Sequence, residues 1–441
     1  MIKELPLWGK LSYGSGAAGW SMLERIVLMW LIYFYTTEDI YGEPLIPPII
    51  FGLIMFGGRV VDAVADPLVA RLSDNHTGRF GRRMPFLLAG GIIYVASFIA
   101  LFYPPIAEKS LWNSVYLLFF LGLFFFMFTV YVCPYLALLP ELARSIKDRV
   151  DLSTSKAVFT LLGSGIAMGG GGFVIAMFGY HGMIWVMGII ALIFLYIPAF
   201  IKEKEYAEAK PATLGLMESL KTTLKNRAFL IYLAGNVGLW FGFNILTVNM
   251  ALYVTQILGM PSEESPEAFL AWGTAVVAFF LVNFLAKKKG LKFSMIFSML
   301  VFVIFLPFIY FMNEPFFGIS PFALWYIVMG MAGVAIAGVL IIPDAIVATI
   351  SDMEENITGQ RREGMYFGAQ GFVQKLNLGL STVVTTGLVQ IFGTTLGLQL
   401  TGPVASLVIL IGLIIFLRYP EDEVLSTGEV PFDASDTGLS Q

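Results

Sequence analysis

Two aspartates, Asp62 and Asp66, stand four residues apart inside an apolar stretch of the chain. In a helix this spacing places both carboxylates on one face, about 6 Å apart along the axis. Carboxylates that share a poorly solvated place repel each other, and a shared proton or a hard cation with oxygen ligands relieves that repulsion. The pair therefore predicts a site for Na⁺, Li⁺ or a proton. The structural alternative is that both aspartates only form ion pairs with Arg25 and Arg59.

Lys375 is the strong cation at membrane depth in the second half of the chain. It lies at the centre of an apolar segment, so its ammonium group is far from either end of that segment. We expect it to contact the aspartate pair of the first half or an anionic group of a solute. An ionised group at the centre of a bilayer costs at least ~2.5–3.5 kcal/mol, so charges in such places indicate a function. Further charges of this kind are Glu24, Lys156 and Asp344.

The elements that must position these residues are transmembrane helices. The 441 residues are 57% hydrophobic and only 13% charged, which is typical of a protein in lipid. Nearly charge-free stretches reach about 20 residues with their flanks, and the period-two alternation of a membrane barrel is absent. We therefore predict an all-α membrane protein with twelve transmembrane helices, near residues 10–35, 45–73, 85–103, 112–140, 152–178, 182–201, 226–258, 266–286, 292–312, 321–350, 364–392 and 397–417.

Basic residues alternate between the two sides of the predicted helices. The even-numbered connections hold clusters of Lys and Arg, whereas the odd-numbered connections hold only Lys109. Cytoplasmic loops carry the excess of Lys and Arg in membrane proteins. We therefore predict a multi-pass protein of the cell (inner) membrane with both termini in the cytoplasm.

A long polar stretch divides the predicted helices into two groups of six. The sequence Leu-Pro-Glu-Leu at 139–142 returns in similar form as Ile-Pro-Asp-Ala at 342–345, which indicates a weak internal repeat. Parallel repeats of this kind are typical of the major facilitator fold. We predict that fold, with an N-terminal six-helix bundle at 1–201, a cytoplasmic linker at 202–225, a C-terminal six-helix bundle at 226–417 and an acidic cytoplasmic tail at 418–441.

The scarcity of other reactive side chains limits the function. One cysteine and two histidines allow neither an internal disulfide nor a cluster of His and Cys metal ligands. No nucleophile, base and oxyanion donors meet at one depth, so we predict no enzymatic activity. We expect no cofactor besides a coupling cation, no nucleic acid partner, and a monomer surrounded by membrane lipids.

Several stretches of the sequence carry a recognisable motif. They are Arg59-Val-Val-Asp62-Ala-Val-Ala-Asp66-Pro67, then Asp74, then Gly78-Arg79-Phe80-Gly81-Arg82-Arg83, and finally Thr358-Gly-Gln-Arg361-Arg362-Glu363-Gly364, which leads to Lys375. With these stretches the chain resembles, over nearly its whole length, the glycoside–pentoside–hexuronide:cation symporter family, to which the melibiose carrier belongs. It is also similar to animal relatives of that family, which carry lysophospholipids.

The resemblance implies an alternating-access symporter in which Asp62, Asp66 and Thr129 bind the coupling cation, Na⁺ or H⁺. Ala65 stands where the melibiose carrier has an asparagine, which favours a proton over sodium. Residues that we assign to solute binding or coupling are Lys375, Ser21, Arg25, Trp20, Tyr135, Lys156, Trp240 and Gln374. Residues that we assign to gating are Arg59, Asp74, Arg79, Arg82, Arg83, Glu141, Asp344 and Arg361.

The solute itself stays open at this point. Ser21, Val132 and Leu136 replace polar anchors that the resemblance associates with galactosides. We predict a small solute, foremost a sugar or glycoside. The alternative is a lysophospholipid or another amphiphilic or anionic solute, and a membrane scaffold or receptor without transport is a separate class.

Overall fold

The helices of the protein begin and end close to the predicted limits of the spans. The computed structural model describes residues 5–76, 78, 81–143, 146–201, 203–206, 225–260, 269–358 and 363–428. In these residues twelve long helices follow one another: α1 (Leu7–Thr36), α2 (Pro48–Asn75), α3 (Met84–Leu101), α4 (Leu111–Leu142), α5 (Ile146–Gly165), α6 (Gly171–Tyr196), α7 (Arg227–Leu252), α8 (Phe269–Lys289), α9 (Leu291–Phe305), α10 (Pro321–Thr358), α11 (Glu363–Phe392) and α12 (Thr394–Phe416).

Glycines set the limits of several spans. A π-helical turn, Ile166–Gly170, joins α5 to the first turns of α6, and the backbone leaves the helical conformation at Gly179 with a φ of 69°. The fifth span thus ends at this glycine and the sixth begins after it. Gly393, between α11 and α12, has a φ of 81°, a left-handed conformation that glycine adopts without steric cost.

Most of these helices are apolar enough to cross a membrane. In the described part of the chain, 9 helical stretches meet that requirement, and one of them, Asp151–Phe200, contains the break at Gly179 and so provides two spans. The two long helices outside this group are α8, which ends in three lysines, and α11. Helix α11 is more polar because it carries Lys375 and several amide and hydroxyl side chains, and the site described below depends on these groups.

The helices pack into two groups that follow the order of the chain. In the first half α1 packs on α5 and α6, and α4 packs on α2 and α3. In the second half α10 packs on α8 and α9, and α12 packs on α7 and α11. The predicted bundle boundaries remain a prediction, because residues 207–224 of the linker lie outside the described residues. The predicted tail contains a short helix, Glu421–Gly428, which packs on α10.

The two halves meet along α2 with α11 and along α1 with α7. Near the predicted extracellular ends the contact is close, since a methyl group on Gly52 of α2 would overlap Thr386 of α11. Within the described residues, α4 and α5 make no extensive contact with α10 and α11. The space between the halves therefore opens toward the predicted cytoplasmic side.

Candidate cation and solute site

Lys375 of α11 lies directly against the aspartate pair of α2. Its Nζ atom is 2.9 Å from Oδ1 of Asp62, and it is 2.8 and 2.7 Å from the two carboxylate oxygens of Asp66. The pair and the lysine come from different halves of the chain, so this contact joins the halves. The sequence leaves open whether Lys375 meets the aspartates or a solute, and in this structure it meets the aspartates.

The two aspartates differ in their access to water. Asp62 is fully buried, whereas the side chain of Asp66 is 42% exposed toward the open space between the halves. The hydroxyl of Thr129 in α4 donates a hydrogen bond to Oδ1 of Asp62 at 2.6 Å. The three residues predicted to bind the cation thus form one cluster with Lys375, and an ion from the open side would reach Asp66 first.

The two aspartates of the cluster share their cations with each other and with a third carboxylate. Asp62 and Asp66 share one ammonium group, and the second cation in contact, Arg59, is divided between two carboxylates. Arg59 lies 3.1 Å from Oδ2 of Asp62 and 3.0 Å from Oε1 of Glu24 in α1. Neighbouring carboxylates repel each other, and a further cation or a proton relieves that repulsion.

Glu24 of α1 contacts Arg59 and not one of the aspartates. The guanidinium of Arg59 also lies 4.1 Å from the centre of the Phe125 ring. Arg59 was assigned to gating, and it lies next to Asp62 rather than near the cytoplasmic loops. The ion-pair alternative therefore holds for Arg59 and Asp62, and this ion pair coexists with the bond to Lys375.

Local sequence explains how α2 presents this face. Gly58, one residue before Arg59, lets α4 approach, since a methyl group there would lie 2.7 Å from Phe125. Pro67 follows Asp66 inside the helix and has no N–H group, so it cannot donate to the carbonyl of Ala63. The carbonyl of Ala63 is thus a further oxygen beside the aspartates that has lost its helical donor.

A second polar group lies in the C-terminal half. The Tyr232 hydroxyl of α7 contacts Oε1 of Gln370, and Nε2 of Gln370 donates to Oδ1 of Asp344 in α10 at 3.1 Å. Asp344 is exposed, and its negative charge attracts the Lys156 ammonium of α5. Among the described residues Lys156 forms no ion pair, so it remains available to an anionic group or to Asp344 on closure.

The remaining residues assigned to the solute fall into two groups. Ser21 donates to the Thr160 carbonyl at 3.2 Å, and Tyr135 stacks on Tyr13 with ring centres 4.5 Å apart, so both lie at helix interfaces in this structure. The other group comprises Trp20, Trp240 and Gln374. Each has a buried side-chain nitrogen without a partner among the described residues. Arg25 lies over the ring of Phe243 in α7, 5.7 Å from its centre.

Four of the residues assigned to gating, Asp74, Arg82, Arg83 and Glu141, form a network at the predicted cytoplasmic end of the first half. Arg82 and Arg83 bind Glu141 of α4 at 2.6 and 2.9 Å, and Arg83 also binds Asp74 at the end of α2. Burial lowers the pKa of Arg83, but the Glu141 and Asp74 carboxylates outweigh burial and raise it above its ordinary value. Arg79 and Arg361 lie outside the described residues, so their assignments stay predictions.

Glu203 is a part of this network that the sequence did not reveal. Its buried carboxylate accepts hydrogen bonds from the backbone N–H groups of Arg82, Arg83 and Met84, at 2.6, 2.9 and 2.9 Å. These N–H groups lie at the start of α3, where backbone N–H groups have no partner inside the helix. The only hint in the sequence was the position of this acidic residue between Lys202 and Lys204.

Known proteins are similar to this chain over more than half of its length. A family model described as "MFS/sugar transport protein" matches residues 12–418. The "Putative glycoside/cation symporter YagG" of Escherichia coli (strain K12) is 27% identical over 289 residues, 63% of this chain and 60% of the relative. The "Sodium-dependent lysophosphatidylcholine symporter 1-B" of Danio rerio is 22% identical over 480 residues, 95% of this chain and 88% of the relative.

The fold has a solved counterpart. The crystal structure of a bacterial homolog of the human lysosomal transporter Spinster, in an inward-facing and unoccupied conformation, superposes with a TM-score of 0.72. The two chains are 12% identical, and the superposition covers 97% of this chain and 100% of that chain. At this identity the similarity concerns the fold alone, and it confirms the predicted arrangement of transmembrane helices.

Proposed function

Since the chain belongs to the family of MFS/sugar transport proteins, we propose that it is a cation-coupled symporter, which moves a sugar or glycoside by alternating access. The observation that carries the proposal is the contact of Lys375 with Asp62 and Asp66. This contact places a charged group of one half inside the candidate cation site of the other half. Binding at that site and the relative position of the halves are therefore physically linked.

The ammonium group of Lys375 occupies the place that a coupling cation would take. It donates to the oxygens of Asp62 and Asp66, which are also the oxygens that a sodium ion would bind. A cation that enters from the open side first meets the exposed Asp66 and then competes with the ammonium for Asp62. Its binding releases Lys375 from α2, and the attraction that holds α2 to α11 changes with it.

Sodium and a proton would use the cluster differently. Thr129 donates its hydroxyl proton to Asp62, so it would have to rotate to offer an oxygen lone pair to sodium. The carbonyl of Ala63, which Pro67 leaves without a helical donor, would add another oxygen ligand. A proton needs neither change, because it binds to one carboxylate oxygen.

The charged residues at the predicted cytoplasmic end act in a different step of alternating access, the closure of that side. Arg82, Arg83 and Glu141 hold α3 and α4 together at the end of the first half. Lys156 and Asp344 face each other across the open space without forming an ion pair. When the space closes on this side, the distance between these opposite charges shortens, and their attraction favours the closed state.

The test is uptake of radiolabelled methyl glycosides by proteoliposomes, driven by an inward gradient of Na⁺ or of protons. Asp62→Asn and Asp66→Asn keep the shape of each side chain but remove its charge, so we expect each variant to lose at least ~10-fold of gradient-driven uptake. Asp352→Asn is the matched control, because Asp352 is exposed at the end of α10. This variant should take up solute like the unmodified protein. Undiminished coupling in both site variants would contradict the proposal.

A lysophospholipid is the second candidate solute, since one whole-length relative is named for lysophosphatidylcholine. The same vesicles decide between the two, because the panel can contain lysophosphatidylcholine beside the glycosides. Gradient-driven uptake of the lipid, with no uptake of any glycoside, would keep the coupling mechanism and replace the sugar.

A further inference from the structure

One face of α7 carries a row of polar side chains four residues apart. Asn236, Trp240 and Asn244 follow this spacing, which places them along one side of the helix. The opposite side packs on α12 through glycines, since a methyl group on Gly238 or Gly242 would touch Ile409 of α12. The polar row therefore points away from α12 and toward the interior of the protein.

The interior that this row faces is the junction with the other half. Phe243, next to Asn244 and on the same side of α7, lies under the guanidinium of Arg25 in α1. Helices α1 and α7 are among the elements through which the halves meet. The polar row thus lies where a solute between the halves would contact the C-terminal half.

Hydrogen-bonding groups of this row lack partners. Asn236 and Asn244 are 1% and 3% exposed, yet among the described residues no partner exists for either amide atom of Asn236 or for Nδ2 of Asn244. The indole N–H of Trp240 is likewise buried and without an acceptor in the described part of the chain. A buried polar group without a partner costs about 1–3 kcal/mol, so several of them on one face favour the binding of a polar ligand there.

Gln374 of α11 extends this face. On α11, Lys375 points to α2 and Asn377 donates to the Val237 carbonyl of α7 at 2.7 Å. Gln374 lies between these two directions around the helix, while Phe372 and Leu380 are exposed on the other side. Its Nε2 atom is also buried and has no acceptor among the described residues. The unpaired amide therefore stands between the α7 row and the lysine of the cation site.

We propose that Asn236, Trp240, Asn244 and Gln374 form the half-site in the C-terminal bundle that binds the hydroxyl groups of a polyhydroxylated solute. This inference rests on the proposed function and names the chemistry of its solute. Amide and indole groups are uncharged, directional partners for hydroxyls, and they neither attract nor repel a solute by net charge.

The neighbouring positions of Gln374 and Lys375 give this half-site a route to the cation. Both side chains leave the same turn of α11, one toward the solute face and the other toward Asp62 and Asp66. When a cation releases the ammonium from the aspartates, this turn loses its anchor on α2. Gln374 then becomes free to align with a hydroxyl, so solute affinity rises when the cation is bound.

The test measures solute binding and cation binding separately on the purified full chain. The solute probes are methyl β-D-glucoside, methyl β-D-galactoside, methyl β-D-xyloside and glucuronate, and the readout is the concentration that gives half of the maximal thermal stabilisation. Cation binding is read from the reaction rate of Cys133, the single cysteine, whose Sγ atom lies 3.9 Å from the Asp66 carbonyl.

Trp240→Phe and Asn244→Leu remove hydrogen-bonding groups and keep most of the volume of each side chain. We expect each to weaken binding of the best hydroxylated probe roughly 2- to 10-fold, and the double variant roughly 10-fold or more. The effect of Na⁺ or pH on the Cys133 rate should stay as in the unmodified protein. Trp325→Phe is the matched control, because Trp325 is another buried indole without an acceptor among the described residues, but it lies at the start of α10.

The outcomes separate this inference from the proposed function. Unchanged affinity of both variants for every hydroxylated probe, together with intact cation-driven uptake, would overturn the half-site and leave symport standing. Weakened probe binding in both variants, with no gradient-driven uptake by the unmodified protein, would support the half-site and overturn symport. Stabilisation of the unmodified protein by lysophosphatidylcholine and by none of the hydroxylated probes would overturn the half-site.

Discussion

Lys375→Met tests whether the lysine occupies the cation site. Methionine keeps the length of the side chain but removes its charge, so Asp62 and Asp66 lose the ammonium group that lies 2.9 and 2.7 Å away. Asp62 is fully buried, and breaking a buried ion pair costs about 3–5 kcal/mol, which is an upper limit here because Asp62 keeps its ion pair with Arg59. The side chain of Asp66 is 42% exposed, so water screens its ion pair with Lys375. Losing that ion pair should therefore cost at most about 1 kcal/mol.

The same substitution should make the protein more responsive to its coupling cation. In the unmodified protein an entering cation must displace the ammonium. In Lys375→Met it enters a site in which Asp66 has lost its ammonium partner and Asp62 keeps only Arg59. Without the cation we expect a melting temperature lower by on the order of 5 °C, and saturating Na⁺ or a lower pH should restore most of it. Gradient-driven uptake should be lost, because the link between the halves is gone.

The assay is thermal unfolding of the purified protein in detergent, with NaCl compared with choline chloride at equal ionic strength and at two pH values. Lys287→Met is the matched control, since Lys287 is exposed at the end of α8 and its loss should leave melting unchanged. The reasoning is refuted if Lys375→Met melts like the unmodified protein without the cation. It is equally refuted if the cation stabilises the variant no more than it stabilises the unmodified protein.

Two further substitutions address the ion and the cytoplasmic network. Thr129→Val removes the hydroxyl beside Asp62, so Na⁺-driven uptake in proteoliposomes should fall at least ~10-fold while proton-driven uptake persists; an equal loss of both would contradict the assigned role as a sodium ligand. Glu203→Gln leaves one acceptor oxygen for the backbone N–H groups of Arg82, Arg83 and Met84, so thermal unfolding should show a loss of about 2–3 kcal/mol; an unchanged melting temperature would contradict the capping role.

The sequence is sufficient to predict the architecture because the bilayer imposes it. Apolar stretches of about 20 residues must become helices, as no water is present to pair with their backbone groups. The glycine at 179 and the polar stretch after 201 therefore mark real limits of spans. The cost of burying a charge in lipid likewise distinguishes Asp62, Asp66 and Lys375 from the other charged residues of the chain.

The sequence could not predict in the same way which side chains contact each other. The sequence contains several cations that Glu24 could contact at its depth in the membrane. Only the packing of α1 in the first half shows that Glu24 contacts Arg59. Tyr135 and Ser21 were assigned to solute binding. In the structure the rotation of α4 and α1 about their axes places both side chains in contacts between helices. The spacing of Asn236 and Asn244 was visible, yet only the glycine contact of α7 with α12 tells which way that face points.

The sequence by itself determined that this chain crosses the membrane with twelve helices and carries a carboxylate pair at membrane depth, because both follow from what a bilayer tolerates at each position. Only the tertiary structure decided that Lys375 contacts Asp62 and Asp66, and that the buried amides and the indole on one face of α7 have no partners among the described residues. The physical reason is that a helix fixes the spacing of its own side chains, whereas the rotation and distance between helices decide which charges and hydrogen-bonding groups meet.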